Sequence, residues 1–197
     1  MVDVSVRKAF LHRILTNQSL DDIYSDERRR LWEGFAPDEQ KEIRESRSFV
    51  GFARASGLPI DAMGHTNEKP PLPDISSTVD GQPHYFELGE ITDEGLARRV
   101  SISERTGELT GGPFSQSEPL LKMFREKCGK AYPTNGVPVD LVLYYSRQYP
   151  HEGALLEYLK IHTTEISSLI ASSPYKRVWI YSDWPPQKIL WNTGRTP

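Results

Sequence analysis

The chain has 197 residues, 37 % of them hydrophobic and 26 % charged, with a formal net charge of -3. This length and composition fit one globular domain with an appendage at most, and exclude a disordered or fibrous chain. The single cysteine, Cys128, excludes a disulfide framework and a cysteine-built zinc site, and the charge excludes a protein that coats nucleic acid through bulk positive charge.

No run approaches about 18 apolar residues, so no membrane-spanning segment is expected. The first 15 residues include Asp3 and no long apolar stretch, so no signal peptide is expected. The lone cysteine fits a reducing, cytoplasmic setting. In residues 1–35, Val6, Phe10, Leu11 and Ile14 recur at helical spacing, and Ile23, Leu31 and Trp32 suggest a second short helix. The mixed-sign run Asp26 to Arg30 reads as a solvated helix face. Pro37, Asp38 and Glu39 open the next helix, with acids where the helix dipole favours them. Its apolar stripe is Ile43, Phe49, Val50 and Ala53; Gly57 and Pro59 stop it, and a proline-rich connector, Glu68 to Pro73 (EKPPLP), follows.

A hairpin comes next. Ile75 to Val79 and His84 to Ile91 are strand-like, and Asp80 with Gly81 is a two-residue type I′ turn signal. Residues 92–115 are irregular, broken by Gly107 and by Gly111, Gly112 and Pro113, and are expected to include a mobile loop. A helix over about 117–131 turns Leu120, Leu121, Phe124 and Cys128 inward. Val139 to Tyr145 (VDLVLYY) suits a central strand buried on both faces. Leu155 to Ile170 mark one long helix, Arg177 to Ser182 the last strand, and Trp184 to Trp191 a packed extension. This order predicts an α/β fold with a mixed sheet: an N-terminal helical extension (1–36), a core (37–183) and a tail (184–197).

The hairpin carries the chemistry. With Asp80 and Gly81 in the loop, Val79 opposes Gln82, Ile75 opposes Phe86 and Asp74 opposes Glu87. Opposed side chains share one sheet face with Cβ atoms about 4.5–5.5 Å apart. One face therefore carries an apolar pair and the other two carboxylates. Like charges placed so cost stability. Either a divalent cation removes that cost, hard oxygen donors at this spacing suiting Mg²⁺ or Mn²⁺, or the two acids tilt apart into water.

Pro73, Asp74 and Ile75, followed after the turn by Tyr85 to Glu90 (YFELGE), resemble the signature of the PD-(D/E)xK nuclease superfamily. That resemblance implies the restriction-endonuclease-like fold, an α-β-β-β-α-β core with one short strand expected within 90–115. It implies that Asp74 and Glu87 bind Mg²⁺ or Mn²⁺ and that a glutamate of the preceding helix assists: Glu45, with Glu42 the runner-up. It further implies metal-dependent hydrolysis of phosphodiester bonds, with DNA ahead of RNA as the partner, and duplex cleavage by a homodimer. The motif lysine should stand at position 89, where this chain has Gly89. Two replacements are open. Glu90 enters the site if the strand bulges at Gly89. Alternatively Lys127, on the inward stripe with Leu120 and Phe124, reaches the acids rather than passing the core edge to water. The stretch Lys127 to Tyr132 (KCGKAY) is similar to a lysine-bearing helix in some relatives. Arg98, Arg99 and Arg105 either contact phosphates or are ordinary solvated loop residues. The second reading is a catalytically silent protein of the same fold that binds nucleic acid or a protein partner, and the third a structural domain in which the acid pair is accidental.

The five histidines lack ligand spacing; His162 reads as a core residue and His84 as facing away from Glu87. No nucleophile elbow, phosphate-binding P-loop or dinucleotide fingerprint is present.

Overall fold

The computed structural model describes residues 36–66, 72–91, 118–146, 152–183 and 186–193. The helices expected before residue 36 and the loop expected within 92–115 lie outside these residues, as do Arg98, Arg99, Arg105 and all but the first two residues of the 90–115 stretch in which a short strand was expected.

Helix α1 (Pro37–Ser56) starts as its sequence predicts. Pro37 takes the first turn, and the Glu39 carboxylate accepts the Ala36 N–H at 3.0 Å. It ends at Gly57, whose φ of 67° is the left-handed cap that glycine adopts without strain. Ile43, Phe49 and Phe52 are its buried apolar residues, while Val50 and Ala53 are half-buried. Glu45, Ser46 and Ser48 are buried beside them.

Between Gly57 and the proline-rich connector, where no element was expected, lies strand β1 (Ile60–His65). This edge strand pairs antiparallel with β2 (Ile75–Val79) across an irregularity near Ala62. Strand β2 then turns into β3 (Gln82–Glu90) through Asp80 and Gly81, at φ 53° and 70°. The register is the expected one, with Ile75 opposite Phe86 and Val79 opposite Gln82. Helix α2 (Glu118–Cys128) leads to β4 (Val139–Tyr145), buried at every position.

The long helix expected next is two, α3 (Glu152–Ile161) and α4 (Thr163–Ala171). The hydroxyl of Thr163 bonds the carbonyls of Leu159 and Lys160 at 2.9 and 2.8 Å, an alternative to the helix ladder that marks the break. His162 caps α4 half-buried and stacks on Tyr158 at 4.3 Å, rather than sitting in the core. Strand β5 (Tyr175–Ser182) is followed by β6 (Lys188–Asn192), so the expected tail supplies a sheet edge.

The six strands lie in sequence order, with β3, β4 and β5 parallel and the remaining pairs antiparallel. The fold is mixed α/β, with helices on both faces of one sheet. On one face Phe49 and Phe52 pack against Ile75, Phe86, Leu88, Val142, Tyr144, Trp179 and Tyr181. On the other, Leu120 and Phe124 of α2, Leu155 and Leu159 of α3 and Ile166 of α4 cover Leu141, Leu143, Val178 and Ile180. Among the described residues no helix is long and apolar enough to cross a membrane.

One buried charge departs from the apolar reading of β4. Asp140 is fully buried, and its Oδ2 accepts Arg177 Nε at 2.8 Å and Trp179 Nε1 at 3.0 Å. His84 Nε2 approaches its Oδ1 at 3.1 Å. Removing the carboxylate leaves the buried His84 and Trp179 ring nitrogens and the one-third exposed Arg177 guanidinium without their acceptor. Asp140→Ala is therefore expected to cost about 3–5 kcal/mol, read as a lowered urea midpoint; a loss below about 1 kcal/mol would show that water reaches the cluster.

Candidate active site

Asp74 stands at the bend just before β2, and the pairing of Ile75 with Phe86, continued by one residue, sets it across from Glu87. Its Oδ2 accepts the Leu88 N–H at 2.8 Å, which ties the carboxylate to β3. Burial pushes the Asp74 carboxyl up from its ordinary 3.8 to about 6, and the charges of Glu87 and Glu45 push the same way. The Leu88 N–H and Lys127 oppose them without prevailing. Asp74 is thus an acid held where a negative charge is poorly supported.

Glu87 has the opposite balance. It is buried in the middle of β3, and burial alone raises its carboxyl; Lys127 and Lys130 outweigh that and hold it below the usual range. Both ammonium groups donate to Oε1, Lys127 at 2.6 Å and Lys130 at 2.7 Å. Lys127 donates also to the Leu88 carbonyl at 2.5 Å. Its helix is fixed from below, Tyr175 donating its hydroxyl to the Lys127 carbonyl at 2.9 Å.

The expected alternative at Glu90 is not the one adopted. Strand β3 runs through Gly89 with no bulge in its pairing to β4. Strict alternation therefore sends Glu90 to the α1 face, where the Ser146 hydroxyl bonds its carboxylate and its charge acts on Tyr144. Lys127 enters instead, and Gly89 makes room for it. A Cβ at Gly89 would lie 3.2 Å from Lys127 Cε, 3.1 Å from Met123 Sδ and 2.8 Å from Leu143 Cδ2. The stem of Lys127 occupies the space above the position where the motif lysine was expected.

Glu45 lies at the neighbouring corner. Its Oε2 meets His65 Nε2 at 2.8 Å and its Oε1 meets Lys41 Nζ at 3.4 Å, while its charge reaches Asp74. The hydrogen bond to Glu45 raises the His65 imidazole above its ordinary value against the effect of burial. The Glu42 charge raises His65 further.

His65 and the role of Lys130 were not anticipated from the residues. His65 lies on the unexpected β1, and Lys130 lies beyond the last residue of α2, in a turn closed by its N–H on the Lys127 carbonyl at 3.1 Å, where helical spacing no longer applies.

Asp74 and Glu87 are the hard oxygen donors of the site; among the described residues no group of three or more His, Cys, Asp or Glu is arranged to hold a metal ion. Two carboxylates are nonetheless what Mg²⁺ uses when it keeps waters and takes phosphate oxygens. The fit lies in Asp74: an ionised carboxylate crowded by Glu87 and Glu45 is stabilised by added positive charge. A cavity of about 560 Å³ lies away from these acids, at the turn end of the hairpin, beside His84 and Arg177. No protein-family model, curated protein or solved structure matches the chain, and its function is read from this geometry.

Proposed function

We propose that the chain is a divalent-metal-dependent nuclease of the PD-(D/E)xK type, in which the motif lysine is supplied by α2. The observation that carries this reading is Lys127: its ammonium sits on Glu87 and on the Leu88 carbonyl, and its stem fills the space above Gly89. The element order supports it. Among the described residues, helix α1, strands β1, β2 and β3, helix α2 and strand β4 follow the order helix, three strands, helix, strand, with β1 standing before the hairpin. Within the mixed α/β fold, this order is consistent with the restriction-endonuclease-like arrangement that we propose.

Asp74 and Glu87 would hold Mg²⁺ or Mn²⁺. Such an ion supplies charge at a phosphoryl oxygen and lowers the pKa of a bound water. Lys127, fixed by two acceptors and by packing, would orient the attacking water and stabilise charge developing on the phosphate. Glu45, held by His65 and Lys41, maintains the negative field at the Asp74 corner. Arg98, Arg99 and Arg105, in the segment that follows β3, are assigned to phosphate contacts, and duplex DNA cut by a homodimer is the preferred substrate arrangement. The second reading, a silent protein of this fold that binds nucleic acid or a protein partner, is favoured by one observation: two ammonium groups already satisfy Glu87.

Cleavage of supercoiled plasmid and of a labelled single strand, with Mg²⁺ or Mn²⁺, separates the two. The expected result is metal-dependent cutting that Glu87→Ala abolishes, with a melting temperature raised by Mn²⁺ in the wild type and not in Asp74→Ala. Equal cutting by wild type and Glu87→Ala, or none by either, overturns the nuclease assignment.

A further inference from the structure

We infer that Lys130 closes the acid pair in the metal-free protein and moves to a nucleic-acid phosphate when substrate binds, so that metal and nucleic acid bind cooperatively. This rests on the nuclease reading and adds a role that the motif does not contain.

The two lysines on Glu87 Oε1 are not equivalent. Lys127 is on α2, its side chain is 11 % exposed, and it has the Leu88 carbonyl as a second acceptor and Gly89 beneath its stem. Lys130 follows the helix end, beyond Gly129, and its side chain is 40 % exposed. It reaches Glu87 from the solvent side. Two ammonium groups on one oxygen repel each other, and the one with fewer restraints is the one that can leave.

Charge counting gives the consequence. With Asp74 and Glu87 ionised, Lys127 and Lys130 bring the four groups to zero. A divalent cation entering alone is drawn only by the remaining charge of Glu45 at the Asp74 corner, and Glu87 is already engaged. When Lys130 swings out, the remaining three groups carry -1 and Glu87 loses one competitor. A phosphodiester carries -1 of its own and offers the solvent-exposed Lys130 ammonium a new partner. Nucleic acid thus takes Lys130 away from Glu87, and the acid pair gains affinity for metal at the same moment. By linkage, metal strengthens nucleic-acid binding by the same factor.

The variant that tests this is Lys130→Gln, which removes the charge from a half-exposed position outside the helix. Lys130→Arg keeps the charge and serves as the conservative control. Two equilibria are read on folded protein: Mn²⁺ binding without nucleic acid, by calorimetric titration, and binding of a fluorescent DNA duplex in Ca²⁺, by anisotropy. Lys130→Gln is expected to bind Mn²⁺ at least about tenfold tighter. It should bind the duplex several-fold more weakly, with a salt dependence reduced by about one phosphate contact. Lys130→Arg should resemble the wild type in both. A lysine that only supports the fold would weaken both or neither. Unchanged or weakened Mn²⁺ binding in Lys130→Gln, with the wild type still binding Mn²⁺ and cutting DNA, overturns this inference and leaves the nuclease reading standing. A wild type that neither binds Mn²⁺ nor cuts overturns both.

Discussion

Lys127→Ala is expected to lower metal-dependent cleavage by at least about 10²-fold, the usual contribution of a positioned proton-transfer or charge-stabilising group. Introducing Gly89→Lys into that background should recover at least about tenfold of the lost rate. Positions 89 and 127 share one volume: the stem of Lys127 lies where a side chain at 89 would begin, so only one of them can be long. In the wild-type background Gly89→Lys adds a second side chain to the filled space, with Leu143 Cδ2 only 2.8 Å from the new Cβ. That variant is expected to lose about 1–3 kcal/mol of stability through overpacking. Removing the Lys127 stem relieves part of the crowding, and Leu143 meets the new Cβ with the end of its side chain. Single-turnover cleavage by the four proteins, with urea unfolding as the control for folding, decides the matter. A folded double variant as inactive as Lys127→Ala would show that a lysine at 89 cannot substitute for one at 127, and would remove the equivalence on which the assignment rests.

What the residues alone revealed divides along physical lines. The hairpin register was legible because Asp80 and Gly81 demand positive φ at both turn positions, and one slip of register would expose Ile75 and Phe86. Asp74 opposite Glu87 followed from that register. Lys127 was legible as an inward lysine from its spacing to Phe124 and Leu120, but its acceptors were not, because a spacing carries no distance. Strand β1 was hidden: an edge strand flanked by Pro59 and containing Gly64 needs little apolar pattern, and its partner on β2 stabilises it from outside the segment. Strand β6 was hidden likewise, since it gains its order by pairing with β5. Asp140 passed unremarked inside VDLVLYY because Arg177 and Trp179, 37 and 39 residues later, are what permit a carboxylate there. Glu90 offered a choice that only the continuity of the ladder through Gly89 resolves.

The two acids of the candidate site should respond in opposite directions when neutralised without metal. Above about pH 6 the folded protein must ionise Asp74 against burial and against Glu87 and Glu45. Its carboxyl is raised in the folded state, so between about pH 4 and 6 the folded chain holds a proton that the unfolded chain releases. That stabilisation is fully present at low pH and is lost as pH rises through about 6. At pH 7.5 an ionised Asp74 therefore costs stability, of order 1–3 kcal/mol. Asp74→Asn keeps an oxygen for the Leu88 N–H and removes the repulsion, so the metal-free variant should melt about 3–6 °C higher at pH 7.5. Below about pH 4 its advantage should vanish. Glu87 is lowered, so its contribution is present above the ordinary glutamate range and is lost as pH falls through its folded value. Glu87→Gln leaves Lys127 and Lys130 converging on a neutral amide, and is expected to lose about 3–5 kcal/mol at pH 7.5. Both variants should be inactive as nucleases, which makes Asp74→Asn a stabilised but inactive protein, the pattern of a site whose crowding serves its ligand. Thermal melts in chelator from pH 4 to 8 test the pair: a destabilised Asp74→Asn at pH 7.5 would mean that Asp74 is held by partners that already support its charge, and the reason for placing a cation beside it would be gone.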